Sequence, residues 1–155
     1  MELIVKQIHK SLLKKQITVA VAESCTGGEL SGLLTGLSGS SRYFILGVVT
    51  YSNASKKNIL GIPAGVITKN GAVSEAVAKS MSERIRKIAK TDLGIGITGI
   101  AGPTGGTPPK PKGTIFIAID SKKKKICKKF HFTGSRSGIR KKTAKKSLEL
   151  LKTFI

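Results

Sequence analysis

The sequence predicts one α/β domain over residues 1–155, a three-layer α/β/α sandwich with a mixed, mainly parallel sheet of five strands. Its length of 155 residues suits a single domain with a core of ordinary size. Short aliphatic runs alternate along the chain with segments whose apolar residues recur at helical spacing, which indicates a sheet covered by helices on both faces. Only 5% of the residues are aromatic and glycine occurs 18 times, so aliphatic strands and small residues must fill the core.

The first part of the chain predicts a helix, a strand and a second helix. Apolar residues at four-residue intervals predict a short amphipathic opening helix: Ile4, Ile8 and Leu12. The apolar run ITVAVA, residues 17–22, predicts a buried strand, because a solvent-facing strand would alternate with polar residues. Leucines at helical spacing over residues 30–37 predict the next helix, and Thr26 and Glu29 have the spacing of a capping box at its start.

The remaining elements follow at regular intervals. Residues 42–51 predict a second strand, and the segment SNASKKNIL after it predicts the beginning of a short helix. Ser74 can cap a longer helix. The buried stripe of that helix is predicted to consist of Val77, Met81, Ile85 and Ile88. Further strands are predicted at residues 92–98, 114–120 and 124–132, and a last helix from about residue 138 to the end. Lysines alternate with apolar residues in the last strand, which indicates a sheet edge.

Two glycine-containing segments follow predicted strands, where ligands collect in sheets of this kind: AESCTGG, residues 22–28, and IAGPTGGTPPKPKG, residues 100–113. The preceding GIGITG, Gly94–Gly99, matches a dinucleotide-binding fingerprint, but such a fingerprint must open a helix. Prolines from Pro103 onward prevent a helix there. We therefore predict that these glycines thin a central strand.

The segment AESCTGG offers a nucleophile on a tight turn between a strand and a helix. Ser24 or Cys25 could attack a substrate, with backbone N–H groups near Gly27 and Gly28 free to bind an oxyanion or a phosphate. The alternative is a capped helix with small residues for close packing. Glu23 favours a functional turn, because a carboxylate directly after an apolar strand is costly to bury without a partner or a role.

A nucleophilic serine needs a base. The two histidines, His9 and His131, fall on the opening helix and on the predicted edge strand, away from the strand ends. A lysine can serve when its pKa is lowered toward neutrality. Lys56 in YSNASK is the candidate, since it lies just beyond the second strand, although periodicity alone does not distinguish it from Lys57.

The chain has a formal net charge of +20, and 12 of its 28 Lys and Arg residues lie between Lys122 and Lys146, a span without Asp or Glu. A solvated lysine-rich face explains this charge better than a nucleic-acid site, because neither a zinc-finger spacing nor an aromatic RNA-binding signature accompanies it. The mixed charge of the opening segment and the low cysteine count argue against secretion. No apolar stretch approaches the roughly 20 residues that span a bilayer. We expect a soluble cytoplasmic protein that has no membrane partner.

Four segments that occur in a fixed order identify a family more specifically than any single glycine-rich loop does. They are AESCTGG, GVVTYSNASKKNILGI, GAVSEAVAKSM and GITGIAGPTGGTPPKPKGTIFIAI. From about Ile17 to the last helix, the chain resembles the C-terminal domain of the competence/damage-inducible (CinA) protein family, the nicotinamide mononucleotide deamidases. The resemblance implies an amidohydrolase that converts nicotinamide mononucleotide and water into nicotinate mononucleotide and ammonia in pyridine nucleotide recycling. It also implies a Ser/Lys hydrolase without a metal or another cofactor, and a homodimer.

The resemblance assigns roles by motif. Ser24 would be the nucleophile, Lys56 its base and Tyr51 a proton-transfer or positioning group. Glu23 would hold Lys56 or a neighbouring group by charge, and Cys25 would be a packing residue, with a nucleophilic role as the alternative. The implied substrate-binding residues are Glu23, Thr26, Gly27, Gly28, Asn53, Thr98, Gly99, Gly102 and Arg140, the last of these for the phosphate.

Some positions depart from the family pattern. Ala54 and Ser55 stand where an acidic residue commonly follows YSN, and Ser135 stands where an Asp often precedes the first Arg of the last motif. The family's N-terminal nucleotide-pyrophosphatase domain has no counterpart here, which predicts the stand-alone form. Two alternatives remain: a catalytically weak basic protein that binds nucleic acid or nucleotides in competence, and a hydrolase of another small amide.

Overall fold

Five strands form a single sheet in the computed structural model, which describes residues 1–155. The strands are β1 (Val19–Glu23), β2 (Phe44–Val49), β3 (Leu93–Gly99), β4 (Thr114–Asp120) and β5 (Lys125–His131). The helices are α1 (Glu2–Lys15), α2 (Glu29–Thr35), α3 (Asn53–Asn58), α4 (Ala64–Asn70), α5 (Glu75–Ala89) and α6 (Arg136–Phe154). The predicted three-layer α/β/α fold with a mixed five-stranded sheet is confirmed.

The strands lie in the order β2-β1-β3-β4-β5. β1 is parallel to both of its neighbours, whereas the pairings of β3 with β4 and of β4 with β5 are antiparallel. Glu23 at the end of β1 pairs with Val49 on one side and with Ile97 on the other. The segments that follow the three parallel strands therefore meet at one edge of the sheet, where ligands bind in open α/β folds.

Helices α1, α2 and α6 pack on one face of the sheet, and α4 and α5 pack on the other. Side chains of β1 alternate between the two layers. Val19 and Val21 belong to the core beneath α1, α2 and α6, and Ala20 and Ala22 to the core beneath α5. All five residues of β1 are buried, and the apolar run that precedes Glu23 predicts this for the first four of them.

Gly94 and Gly96 of β3 allow α5 to lie directly against the sheet. A Cβ atom at Gly94 would clash with the backbone carbonyl of Ser82, and one at Gly96 would clash with that of Ala78. These glycines thin a central strand, as predicted. The close approach turns small residues of α5 toward the sheet, so Ala78 and Ser82 are buried, whereas Ile88 of the predicted stripe is 50% exposed.

The sequence prediction differs from the structure in two helices. It missed α4, which begins after Pro63, a residue whose fixed φ suits a helix start. It also placed the start of α6 at residue 138, whereas the helix begins at Arg136 with Ser135 as its cap. None of the helices combines the length and the apolar character that crossing a membrane requires.

Candidate active site

Ser24 directly follows β1, at the edge of the sheet where the parallel strands end. The backbone N–H of Ser24 donates to the carbonyl of Ile97 in β3 at 3.1 Å, so the strand pairing extends to Ser24 itself. Gly27 and Gly28, with φ values of 60° and 98°, then lead the chain into α2 in a conformation that favours glycine. Ser24 is therefore held between the sheet and a helix.

Glu23 supplies the N-terminal cap of α2. Its carboxylate is completely buried and accepts hydrogen bonds from the backbone N–H groups of Gly28, Leu30 and Ser31 at 3.2, 3.1 and 2.8 Å. The Ser31 hydroxyl adds a fourth hydrogen bond at 2.7 Å. A negative charge at this position is also favoured by the dipole of the helix. The carboxylate thus fixes the direction in which α2 leaves the Ser24 turn.

Two expectations for this turn differ from the structure. The capping box of Thr26 and Glu29 is wrong, because no side chain of the turn itself caps α2 and the buried Thr26 hydroxyl has no hydrogen-bond partner. Glu23 was expected to hold Lys56 or to contact substrate, but its oxygens face α2 instead. The sequence signal for this role is a carboxylate that ends a buried strand a few residues before a helix.

Lys56 lies in α3 and reaches Ser24 through the protein interior. A capping box between Ser52 and Ser55 begins this helix and sets its direction. The Lys56 Nζ atom lies 3.0 Å from the Ser24 Oγ atom and donates to the carbonyl of Thr50 at 2.8 Å. That Thr50 residue is itself tied to the end of β1, since its backbone N–H donates to the carbonyl of Glu23 at 2.9 Å. Sequence periodicity did not distinguish Lys56 from Lys57, whereas the structure places Lys56 beside Ser24.

The environment of Lys56 favours a neutral amine. Only 2% of the residue is exposed, and no carboxylate forms an ion pair with it. Burial lowers the pKa of Lys56 below its ordinary value of 10.5, because the charged form loses its hydration. Lys57, one residue along the helix, is exposed. A neutral Lys56 could accept the proton of the Ser24 hydroxyl.

Cys25 is also buried, but burial makes its thiol less reactive. It is 6% exposed, and burial raises the pKa of its thiol to about 12, with the negative charge of Glu23 as a lesser cause. The thiolate is the nucleophilic form of cysteine, so a thiol with this pKa is inert at neutral pH. These properties support Ser24 as the attacking group.

We predict that the amide hydrolysis implied by the motif resemblance is largely retained in Cys25→Ala, because the thiol packs against the site and does not react. Initial rates of ammonia release and titration with a thiol reagent would test this. Loss of activity to the level of a Ser24→Ala variant, in a folded protein, would make Cys25 the nucleophile.

The backbone donors of the turn differ from those expected. The N–H of Gly27 donates to the carbonyl of Ser24 at 3.0 Å, and the N–H of Gly28 donates to the Glu23 carboxylate, so neither is free for an oxyanion. The N–H groups of Cys25 and Thr26 donate to no acceptor within the chain. Of these two residues only Cys25 lines the cleft beside Ser24, so its N–H is the candidate donor for an oxyanion.

A cleft of about 250 Å³ opens above Ser24 and Lys56. This volume is near the lower limit for small-molecule sites, which typically occupy about 300–1,000 Å³. The cleft is lined by seven of the predicted site residues: Ser24, Tyr51, Asn53, Lys56, Thr98, Gly99 and Gly102. Five others do not line it: Glu23, Thr26, Gly27, Gly28 and Arg140. The Thr98 hydroxyl is engaged within the protein, since it donates to the carbonyl of Ala72 at 2.8 Å.

Two arginines of α6 have different positions relative to this cleft. Arg140, the residue expected to meet a phosphate, donates to the Thr26 carbonyl at 2.8 Å and lies 3.4 Å from the Glu29 carboxylate, where it braces the Ser24 turn from outside. Arg136 lines the cleft and was missed. It donates to the carbonyl of Gly102 at 2.8 Å and to the Tyr51 hydroxyl at 2.6 Å. The signal for it was Ser135, a helix cap that places Arg136 in the first turn.

Comparison with known proteins identifies relatives of the whole chain. The family model described as the CinA C-terminal domain matches residues 1–155. A putative competence-damage inducible protein of Desulforudis audaxviator (strain MP104C) is 45% identical over 150 residues, which covers 97% of this chain and 36% of that protein. A putative competence-damage inducible protein of Thermoanaerobacter pseudethanolicus (strain ATCC 33223 / 39E) is 47% identical over 148 residues, which covers 96% of this chain and 36% of that protein. The chain thus spans little more than a third of the length of these curated relatives.

Solved structures share the fold over nearly their whole length. The competence/damage inducible protein CihA from Agrobacterium tumefaciens superimposes with a TM-score of 0.95 at 32% identity, covering 98% of this chain and 93% of that chain. The competence damage-inducible protein A (ComA) from Klebsiella pneumoniae subsp. pneumoniae MGH 78578 has a TM-score of 0.93 at 31% identity, and the match covers 97% of this chain and 93% of that chain. The structural similarity therefore includes every layer of the sandwich.

Proposed function

The chain belongs to the CinA C-terminal domain family, and from the Ser24–Lys56 pair we propose that it is a nicotinamide mononucleotide amidohydrolase. The observation that carries this proposal is the 3.0 Å separation of the Lys56 Nζ and Ser24 Oγ atoms, with the lysine buried and without a carboxylate partner. Family membership supports an enzyme. The motif resemblance supports the nucleotide carboxamide as its substrate and pyridine nucleotide recycling as its role.

The proposed reaction begins with attack by Ser24 on the carboxamide carbon. Neutral Lys56 takes the hydroxyl proton while the Oγ atom bonds to that carbon, and the carbonyl oxygen becomes an oxyanion. The backbone N–H group of Cys25, which has no acceptor within the chain, is available to stabilise this charge. Lys56 then gives its proton to the amide nitrogen, the C–N bond breaks and ammonia leaves, so that the nicotinoyl group remains as an ester on Ser24.

Water completes the reaction by attack on this ester. Lys56 accepts a proton from the water as the new C–O bond forms, and it returns that proton to the Ser24 oxygen as the ester bond breaks. The products are nicotinate mononucleotide and the free serine. The same amine thus acts twice as a base and twice as an acid, which requires a pKa nearer to neutrality than that of an exposed lysine.

The cleft also offers groups for the rest of the nucleotide. Arg136 carries a positive charge at the mouth of the cleft, and its hydrogen bond with Tyr51 orients both side chains. We propose Arg136, in place of Arg140, as the residue that contacts the phosphate. Asn53 and Gly102 lie on the same lining and supply polar groups for the ribose. The expected homodimer and the expected independence of metal remain part of this proposal.

The test is ammonia release from nicotinamide mononucleotide in buffer that contains a metal chelator. We expect steady turnover by the natural protein and none by Ser24→Ala, which also serves as the control for contaminating amidases. Nicotinamide riboside, which lacks the phosphate, is expected to react with a much lower kcat/KM. Covalent trapping of the acyl group should be visible by mass spectrometry on the peptide that contains Ser24.

Other results would point to the alternatives. Turnover of a different amide with no reaction of nicotinamide mononucleotide would keep the dyad and change the substrate. No ammonia from any amide tested, with a folded protein, would overturn the proposal.

A further inference from the structure

Strand β5 and helix α6 run side by side and form one continuous lysine-bearing face. Three contacts join α6 to β5 and its flanking residues, and they show that the two segments run in opposite directions. The Lys142 Nζ atom donates to the carbonyl of Thr133 at 2.7 Å, and the Lys146 Nζ atom lies 5.7 Å from the centre of the Phe130 ring. At the other end, the Lys124 Nζ atom lies 4.9 Å from the centre of the Phe154 ring.

Lys128 lies between these contacts on the same side of the sheet. It pairs with Ile117 of β4, a residue of the core beneath α6, and directly paired residues of antiparallel strands point to the same side. The β5–α6 face is therefore defined by four lysines: Lys124, Lys128, Lys142 and Lys146. None of these four lysines lines the cleft of the proposed active site.

The positive charge of this face is largely uncompensated. Glu149 is the only acidic residue after Asp120, and it pairs with Lys146 at 2.5 Å. Lys124, Lys128 and Lys142 form no ion pair. By contrast, Lys6 of α1 and Lys87 of α5 are matched by carboxylates one turn away, Glu2 and Glu83.

The chemistry of the face favours a nucleic-acid strand over an anionic membrane. Proteins that lie on a membrane bury apolar side chains in it as well as binding its charge. The large exposed hydrophobic residues of this chain are Met1, Leu3, Ile45, Val49, Tyr51, Ile59 and Ile88, and none belongs to β5 or α6. The aromatic rings of the face are covered in part by the lysines themselves. Such a surface can contact phosphates without entering a lipid layer.

We propose that the β5–α6 face binds the phosphodiester backbone of a nucleic-acid strand without sequence preference. The binding would be driven by release of counterions and would fall steeply with added salt. It is independent of the Ser24–Lys56 chemistry, so that one chain would carry a hydrolytic cleft at the edge of the parallel strands and a polyanion-binding surface on β5 and α6.

The experiment measures binding of a fluorescein-labelled 20-nucleotide oligothymidine by anisotropy over a series of salt concentrations. The natural protein is compared with the triple variant Lys124→Gln, Lys128→Gln, Lys142→Gln. Removing three phosphate contacts should reduce the magnitude of the slope of log K against log salt by about 2. Binding of the variant in dilute buffer should be weaker by more than about tenfold.

The matched control removes the same charge elsewhere, in Lys10→Gln, Lys14→Gln, Lys69→Gln, which replaces three exposed lysines without carboxylate partners on α1 and α4. We expect this control to keep the natural slope, and circular dichroism to show both variants folded. Equal losses in the two variants would overturn the proposal in favour of net charge alone. Absence of binding in low salt, or tighter binding to phosphatidylserine vesicles than to the oligonucleotide, would also overturn it.

Discussion

Replacing Lys56 with methionine is expected to lower the kcat of amide hydrolysis about a thousandfold. Lys56 is the only side chain placed to take the Ser24 proton, at 3.0 Å, and methionine fills a similar volume without a proton acceptor. In the natural protein the rate should rise with pH through the pKa of Lys56, because only the neutral amine acts as a base. Ammonia release between neutral and alkaline pH would measure both effects.

The same substitution should leave the protein at least as stable. Burial lowers the pKa of Lys56 below 10.5, so between the lowered pKa and 10.5 the unfolded chain binds a proton that the folded chain has released. The free energy of unfolding of the natural protein therefore rises with pH in this window, and below the window the charged amine is a constant penalty. Lys56→Met removes this pH dependence, which urea denaturation at several pH values would show.

Lys57→Met is the matched control for this prediction. It removes the same chemical group one residue away, from an exposed position, and should leave the kcat unchanged. Retention of a large part of the activity by Lys56→Met, or equal losses in the two variants, would contradict the role of Lys56 as the base.

Replacing Glu23 with alanine is expected to destabilise the fold by about 3 kcal/mol or more, because it leaves several buried backbone donors unpaired. The carboxylate is the acceptor for the N–H groups of Gly28, Leu30 and Ser31 and for the Ser31 hydroxyl. Loss of this cap should also release the Ser24 turn and reduce the kcat. Chemical denaturation measures the first effect and ammonia release the second.

The control is Glu29→Ala, in the next turn of the same segment. The one ion pair of Glu29 is with Arg140 at 3.4 Å, and because this pair is partly exposed it should contribute less than about 1 kcal/mol. A Glu23→Ala variant as stable as Glu29→Ala would show that solvent or a neighbouring group can replace the cap. The interpretation of Glu23 as the structural anchor of the turn would then be wrong.

Local patterns predicted most of the fold because they depend on short-range properties. The buried run of β1 and the glycines of β3 follow from residue size and hydrophobicity, which sequence displays directly. The selection of Lys56 over Lys57 depends on how α3 is oriented by the Ser52 capping box. Such an orientation is a property of the assembled fold.

The site was predicted less completely for a related reason. Motif resemblance collected residues from every matching segment, but it could not tell which of them face the cleft. Arg140 braces the turn while Arg136 lines the cleft, and the difference is one turn of α6. A helix start placed at residue 138 hid Arg136, because its position follows from the Ser135 cap.

The bracing of the Ser24 turn by Arg140 has a consequence for folding. The hydrogen bond from Arg140 to the Thr26 carbonyl joins residues 114 positions apart. Closing so long a loop is entropically costly and tends to occur late in folding. An intermediate that contains the sheet but not a docked α6 would therefore lack both the brace and the Arg136 side of the cleft, and it would be inactive. During synthesis, the complete cleft would then form only after α6 has left the ribosome.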